Sequence, residues 1–209
     1  MSVSALIPNL AAAILAASGL GAPRAPHHLT TLERPHALDL EARDLNDRSE
    51  ILAVERRPSA IGAVGFVWSP ATGARDLALP AAAEEADPRR LDDHSRVFGA
   101  AGPALEHNAT AVWWPDPARP VPLERTAPGA REFAIGIDAA GRVVGNAVAP
   151  DAQQAVAWSA DGAFQNHPFG EGLTRVQALD RTGSAWGERL DPQGPALLRL
   201  PPPPPPPPP

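Results

Sequence analysis

The chain has 209 residues, which at roughly 150 residues per domain suggests one domain with appendages. Hydrophobic residues make up 44% and the formal net charge is −6. That is enough for a packed core, and it argues against nucleic acid or an anionic membrane surface as a partner, because both call for surplus positive charge. There is no cysteine, lysine or tyrosine, which excludes disulfides, thiolate metal sites, cysteine nucleophiles, Schiff-base and P-loop chemistry, and tyrosine general acids.

Residues 1–28 read as a leader. Their centre, Leu10 to Ala17, is apolar and is followed by Ser18, Gly19, Gly21 and Ala22, as in a secretory signal. No Lys or Arg precedes the run and Pro8-Asn9 interrupts its start, so an uncleaved N-terminal extension is the competing reading. An extracellular or periplasmic location follows from the first reading and a cytoplasmic one from the second. The stretch is too short to cross a bilayer, and no other segment is long and apolar enough, so no transmembrane helix is expected.

A repeat then begins. Leu45-Asn46-Asp47-Arg48-Ser49-Glu50-Ile51-Leu52-Ala53 is followed by Leu91-Asp92-Asp93-His94-Ser95-Arg96-Val97-Phe98-Gly99. Ile137-Asp138-Ala139-Ala140-Gly141-Arg142-Val143-Val144-Gly145 and Leu179-Asp180-Arg181-Thr182-Gly183-Ser184-Ala185-Trp186-Gly187 complete the set. The anchors Leu45, Leu91, Ile137 and Leu179 are 46, 46 and 42 residues apart, a period that marks propellers and solenoids. A second landmark, Trp68, Trp113 and Trp158, lies 21–23 residues after its anchor, and the fourth copy lacks the Trp. Recurrence in register assigns these three to packing.

Each unit reads as β. Asn/Asp-x-x-Gly/Ser is a hairpin turn in which the Asx side chain caps the backbone and the fourth residue takes a positive φ. Gly141 and Gly183 suit that position; Ser49 and Ser95 predict strain. The strand after the turn carries adjacent apolar residues, which implies cover on both faces. In the first unit four strands are expected at about 38–45, 50–55, 63–68 and 74–79. The last unit ends after its third strand. His28-Leu29-Thr30-Thr31-Leu32 has the character of the missing fourth, so the N-terminus is predicted to close a ring and remove exposed edges. The expected domain is therefore 29–200: all-β, β-propeller-like and four-bladed, with an open β array or a fragment of a larger propeller as the rivals. Nine prolines at 201–209 form a polyproline II rod about 28 Å long, either a ligand for an aromatic groove or a neutral expansion.

The pattern Ala-x-x-Leu-Asn-Asp-x-x-x-Ile, then Phe-Val-Trp-Ser-Pro, then Asp-Leu, resembles the HAF-type repeat of bacterial, often extracellular, proteins. The third copy, Ile137 to Gly145 with Ala157-Trp158, matches best. The first departs at Ser49 and Ala53, the second at Ser95, and the fourth in its missing Trp. The resemblance implies a propeller-like build and no particular chemistry.

No catalytic or metal-ligating constellation is expected. The histidines lack metal-ligand spacing, and Asp92-Asp93-His94-Ser95 has hydrolase residue types but sits on a turn, where neighbours do not face one another as a triad requires. The acidic run Glu84-Glu85-Ala86-Asp87 reads as a solvated loop. Trp114, with no counterpart in the other copies, is the candidate surface aromatic. The best candidate site is positional: the first strand of each unit would line a central channel, placing Glu41, Arg43, Asp87, Arg89, Glu132 and Arg175 there. The resulting expectation is a monomeric, non-catalytic binding or structural module. It needs no cofactor, and its partner is a protein, small molecule or glycan. The alternatives are a carbohydrate-active hydrolase or lyase using channel carboxylates, and an intracellular adaptor using the proline tail.

Overall fold

A computed structural model describes residues 32, 34, 37–56, 63–103, 105–150, 152–166, 174–180, 182–191 and 194–200. The leader, residues 28–31 of the proposed closing strand (28–32) and the proline tail lie outside the described residues. The first sheet comprises β1 (Asp39–Leu45), β2 (Ile51–Arg56), β3 (Ala63–Ser69) and β4 (Gly73–Asp76). The second comprises β5 (Glu85–Leu91), β6 (Val97–Gly102), β7 (Thr110–Asp116) and β8 (Arg119–Pro122). The third comprises β9 (Arg131–Ile137), β10 (Val143–Val148), β11 (Gln153–Trp158) and β12 (Phe164–Asn166). The fourth holds β13 (Arg175–Leu179), β14 (Ala185–Asp191) and β15 (Gly194–Leu200). Every sheet is an antiparallel meander in sequence order, so the fold is all-β with one sheet per repeat. A helical turn, Leu105–Asn108, interrupts the second unit. Among the described residues the fourth sheet has three strands.

The turns explain the register. Oδ1 of Asn46, Asp92, Asp138 and Asp180 each accepts two backbone N–H groups, two and four residues on, at 2.9–3.0 Å. The fourth turn residue has φ of 60° at Ser49, 64° at Ser95, 79° at Gly141 and 75° at Gly183. The two serines therefore hold the left-handed conformation that glycine adopts freely. The second Asx heteroatom has the same partner in the second and third units and different partners in the first and fourth. Asp92 Oδ2 accepts Arg96 Nε at 2.6 Å and Asp138 Oδ2 accepts Arg142 Nε at 2.9 Å. In the first unit both partners are exchanged, and Asn46 Nδ2 donates to Glu50 Oε2 at 2.7 Å. In the fourth, where Ser184 follows, Arg199 reaches Asp180 from β15 at 2.9 Å.

The sheets stack in chain order. β5 lies against β1, β2 and β3; β9 against β6 and β7; β13 against β9, β10 and β11. In the second and third units the adjacent apolar residues after the turn face opposite neighbours, as predicted; in the fourth, Trp186 is exposed. Val97 joins Leu52, Val67 and Trp114 between the first and second sheets, whereas Phe98 joins Val143, Val156 and Trp158 between the second and third. Val144 then packs with Val176 and Ala185 between the third and fourth.

Trp114 corrects the sequence expectation. It is fully buried, and the ladder shows it, rather than Trp113, to be the repeated tryptophan. Trp68 is opposite Ile51, Trp114 opposite Val97 and Trp158 opposite Val143. The fourth sheet has Leu200 there, opposite Ala185. The indole N–H of Trp114 donates to the Ala78 carbonyl and that of Trp158 to the Glu124 carbonyl, both at 2.8 Å. Trp113 lies on the other face, stacked on Phe98 with ring centroids 6.3 Å apart.

Candidate functional site

Each first strand carries one β-bulge at the same repeat position. The ladder skips Arg43 between Ala42 and Asp44, and Arg89 between Pro88 and Arg90. It skips Ile135 between Ala134 and Gly136, and Gln177 between Val176 and Ala178. A bulge adds a residue without a cross-strand partner and re-aims it. The close approach at the bulge accounts for the small residue ending each repeat motif. A Cβ on Gly99 would lie 2.3 Å from the Asp87 carbonyl oxygen, and one on Gly145 2.0 Å from that of Phe133. Pro88, which has no N–H to give, sits at this same irregularity.

All four bulge residues line one cavity of about 640 Å³, together with Arg90, Arg131, Phe133, Asn146, Val148, Gln153, Arg175 and Val176. Arg89 is fixed from two sides. Its guanidinium bonds Asp87 Oδ2 at 2.7–2.8 Å and stacks 3.8 Å above the Phe133 ring centroid. Arg43 pairs with Glu41 at 3.1 Å and lies 3.9 Å from Asp87. Arg90 reaches across to the Gln177 carbonyl at 3.3 Å. Arg131 and Arg175 are exposed and make no ion pair or side-chain hydrogen bond among the described residues. Asn146 closes the wall with a buried two-way bond to the backbone of Val176, at 2.7 and 2.8 Å.

Of the six residues placed in a channel by sequence, Arg43, Arg89 and Arg175 line this cavity, while Glu41 and Asp87 stand behind it as arginine partners. Glu132 does not belong to it. Its side chain is fully buried, and its Oε1 accepts both the backbone N–H and the hydroxyl of Thr126 at 2.7 Å. Burial raises its carboxyl above the ordinary range against those two bonds, and its Oε2 has no partner among the described residues. The repeat spacing itself separates these cases. Glu41, Asp87 and Arg175 each lie four residues before the anchor, and that place in the third unit is Phe133; Glu132 is one residue out of step and faces the other way. Sequence reasoning missed Arg90, Arg131, Phe133 and Gln177. Gln177 was open to the same offset argument, since it is two residues before its anchor, as Arg43 and Arg89 are; Arg131, six residues before its anchor, shares its place with none of the predicted set. Arg90 was not, because the bulge beside it changes the strand's alternation.

A second cavity, of about 450 Å³, opens at the turn end and carries Asp44, Asp92, Asp93, His94 and Asp180. Its acids are engaged structurally. Asp44 accepts the Leu91 N–H, Asp93 the Asp47 N–H, and Asp92 and Asp180 hold their own turns. Thr182 and Arg199 hold the Asp180 carboxyl well below the usual range. At Glu50, nearby, burial is opposed and outweighed by hydrogen bonds from Ser95 and Asn46 and by the charges of Arg48 and Arg75, so its carboxyl is lowered. No group of three His, Cys, Asp or Glu suited to a metal occurs among the described residues, and no described helix is long and apolar enough to cross a membrane.

The arrangement around the larger cavity offers guanidinium donors, an apolar wall and amides, and its carboxylates are committed to arginine. No protein-family model matches the chain, and no curated protein matches it.

Proposed function

We propose that residues 29–200 form a HAF-type, propeller-like repeat module, monomeric and non-catalytic, whose ligand site is the cavity behind the four bulges. The observation that carries this reading is the convergence of Arg43, Arg89, Ile135 and Gln177, one from each sheet, on a single cavity. Four sheets that direct the same repeat position inward are what a central channel requires. Binding is favoured over turnover because Glu41 and Asp87 are engaged by Arg43 and Arg89, and Glu132 is turned away.

Ring closure belongs to the same proposal. The outward face of the fourth sheet exposes Trp186 and Leu197, and the outward face of the first presents Ile51 and Trp68, opposite one another in its ladder. Joining them would bury both faces, with residues 28–32 as the missing strand. Deleting residues 28–31, which spares the Arg34 bonds to Glu55 and Asp76, should lower the melting temperature by about 5 °C or more. An unchanged melting temperature would sink the ring.

The function is tested by titrating the full chain with small anions and oligosaccharides while following both heat of binding and product formation. Binding without turnover is expected. Turnover that disappears in Glu41→Gln or Asp87→Asn would overturn the non-catalytic reading. The family resemblance extends the proposal to an exported protein, and the intact mass of the product from its native host decides that point. A chain shortened by the leader supports export, and a full-length cytoplasmic chain removes it.

A further inference from the structure

We infer that the cavity is selective for a small organic anion carrying two or more oxyanion groups, carboxylate or phosphate, beside an apolar face. This rests on the reading of the cavity as a ligand site and names its ligand class. Five arginines, Arg43, Arg89, Arg90, Arg131 and Arg175, line it, and no carboxylate does. The carboxylates bonded to these arginines are Glu41 and Asp87. Glu188 stands opposite Arg175 in the ladder but bonds the Gln177 amide. Even with Glu188 included, the guanidinium groups exceed the carboxylates by two. The chain as a whole carries a net charge of −6, so this concentration of positive charge runs against the rest of the molecule.

The arginines divide into two kinds. Arg89 is clamped between Asp87 and the Phe133 ring, and Arg90 is tied to the Gln177 carbonyl. Their forks are oriented before any ligand arrives, which removes part of the ordering cost of binding. Arg131 and Arg175 are exposed and have no carboxylate partner among the described residues. They stand on the first strands of the third and fourth sheets, free to close on a second anionic group. A monoanion engages one set only. A ligand with two separated oxyanions engages both, through the charge-assisted, bidentate contacts that guanidinium makes with carboxylate and phosphate.

The lining also includes apolar side chains, Phe133, Ile135, Val148 and Val176. The volume of about 640 Å³ falls within the roughly 300–1,000 Å³ of small-molecule sites. It suits a ligand of metabolite size rather than a lone inorganic ion.

The test is calorimetric titration of the full chain with citrate, pyrophosphate, acetate and a neutral disaccharide. Citrate and pyrophosphate should bind, with affinity falling as salt rises, and acetate and the disaccharide should not. Arg131→Gln and Arg175→Gln, at exposed positions that leave the core intact, should each weaken citrate roughly tenfold. Arg119→Gln, on β8 and outside the cavity, should change nothing. Equal weakening by Arg119→Gln would show general charge attraction and overturn the site. A disaccharide that binds, indifferent to Arg131→Gln, would overturn the anion class while leaving the binding-module reading in place. A folded chain that binds none of the four probes would overturn the anion inference. Oligosaccharide or other ligand binding in the broader titration would then still support the module, and its absence there would remove both. The difference between citrate and pyrophosphate tells a carboxylate ligand from a phosphate one.

Discussion

The Trp158 indole donates to the Glu124 carbonyl in the preceding sheet, and Glu124 returns a bond by donating its own N–H to the Gly162 carbonyl at 2.7 Å. A residue two places beyond a sheet's last strand is thus held by both a tryptophan and a turn of the next sheet. The same clamp occurs one repeat earlier, where Ala78 accepts from Trp114 and donates to the Pro117 carbonyl at 2.8 Å. The repeated tryptophan is a coupling between sheets as well as a core residue.

Trp114→Phe and Trp158→Phe should therefore each cost about 1–3 kcal/mol, because a carbonyl loses its donor while most of the ring packing is kept. Trp113→Phe, whose indole N–H has no partner among the described residues, should cost less. Urea unfolding of the three variants checks the order, and equal losses would refute the clamp.

The turn serines give a paired prediction. Ser49→Gly removes the penalty of a side chain at φ 60° and should stabilise by roughly 0.5–1 kcal/mol, the relief being partly offset by a freer unfolded chain. Ser95→Gly should gain less or lose, because Ser95 Oγ donates to Glu50 Oε2 at 2.5 Å across the first and second sheets. Chemical denaturation of both variants gives the comparison.

Partner exchange in the turns is testable by swapping. Asp138→Asn leaves Arg142 without its carboxylate and should cost about 1–2 kcal/mol. Combining it with Arg142→Glu recreates the Asn46–Glu50 arrangement of the first unit and should recover part of that loss. A double-mutant cycle with no coupling energy would rule out the exchange.

Glu132 sets a pH dependence. Its folded-state pKa lies above the unfolded value of about 4.3, so its contribution to stability is complete below that value and is lost as pH rises through the folded one. Glu50, lowered on folding, acts in the opposite sense, and its contribution is lost as pH falls through its folded value. Glu132→Gln, which keeps an oxygen for Thr126, should flatten the stability profile on the neutral side of pH 4.5. The urea midpoint across pH 4–8 reads this, and an unchanged profile would show that Glu132 titrates normally.

The number of sheets and the first three strands of the first unit were legible because each unit states them locally, whereas its fourth strand, expected to reach residue 79, ends at Asp76. The Asx turn marks one end, and paired apolar residues mark a strand covered on both sides. The candidate site was legible only in part. Arg43, Arg89 and Arg175 follow from strand position, but the bulge breaks the two-residue alternation that such reasoning uses, so Arg90 was hidden. Trp114 was misread because Trp113-Trp114 offers two residues for one landmark, and an offset of 22 or 23 from the anchor does not choose between them. The cross-strand partner Val97 does.

The bulge has one more consequence. A residue in the regular ladder must suit the residue opposite it, so its identity is tied to packing. Arg43, Arg89, Ile135 and Gln177 are released from that obligation, and two cations, an aliphatic and an amide coexist at one repeat position without disturbing the four sheets around them. The scaffold thus holds a four-letter word that can be rewritten without changing its grammar. Exchanging Arg43 and Gln177 should retune what the cavity accepts while the melting behaviour stays nearly constant, whereas Ile135 packs against Val144 and Val176 and Arg89 is stacked on Phe133, so exchanges there should also cost stability.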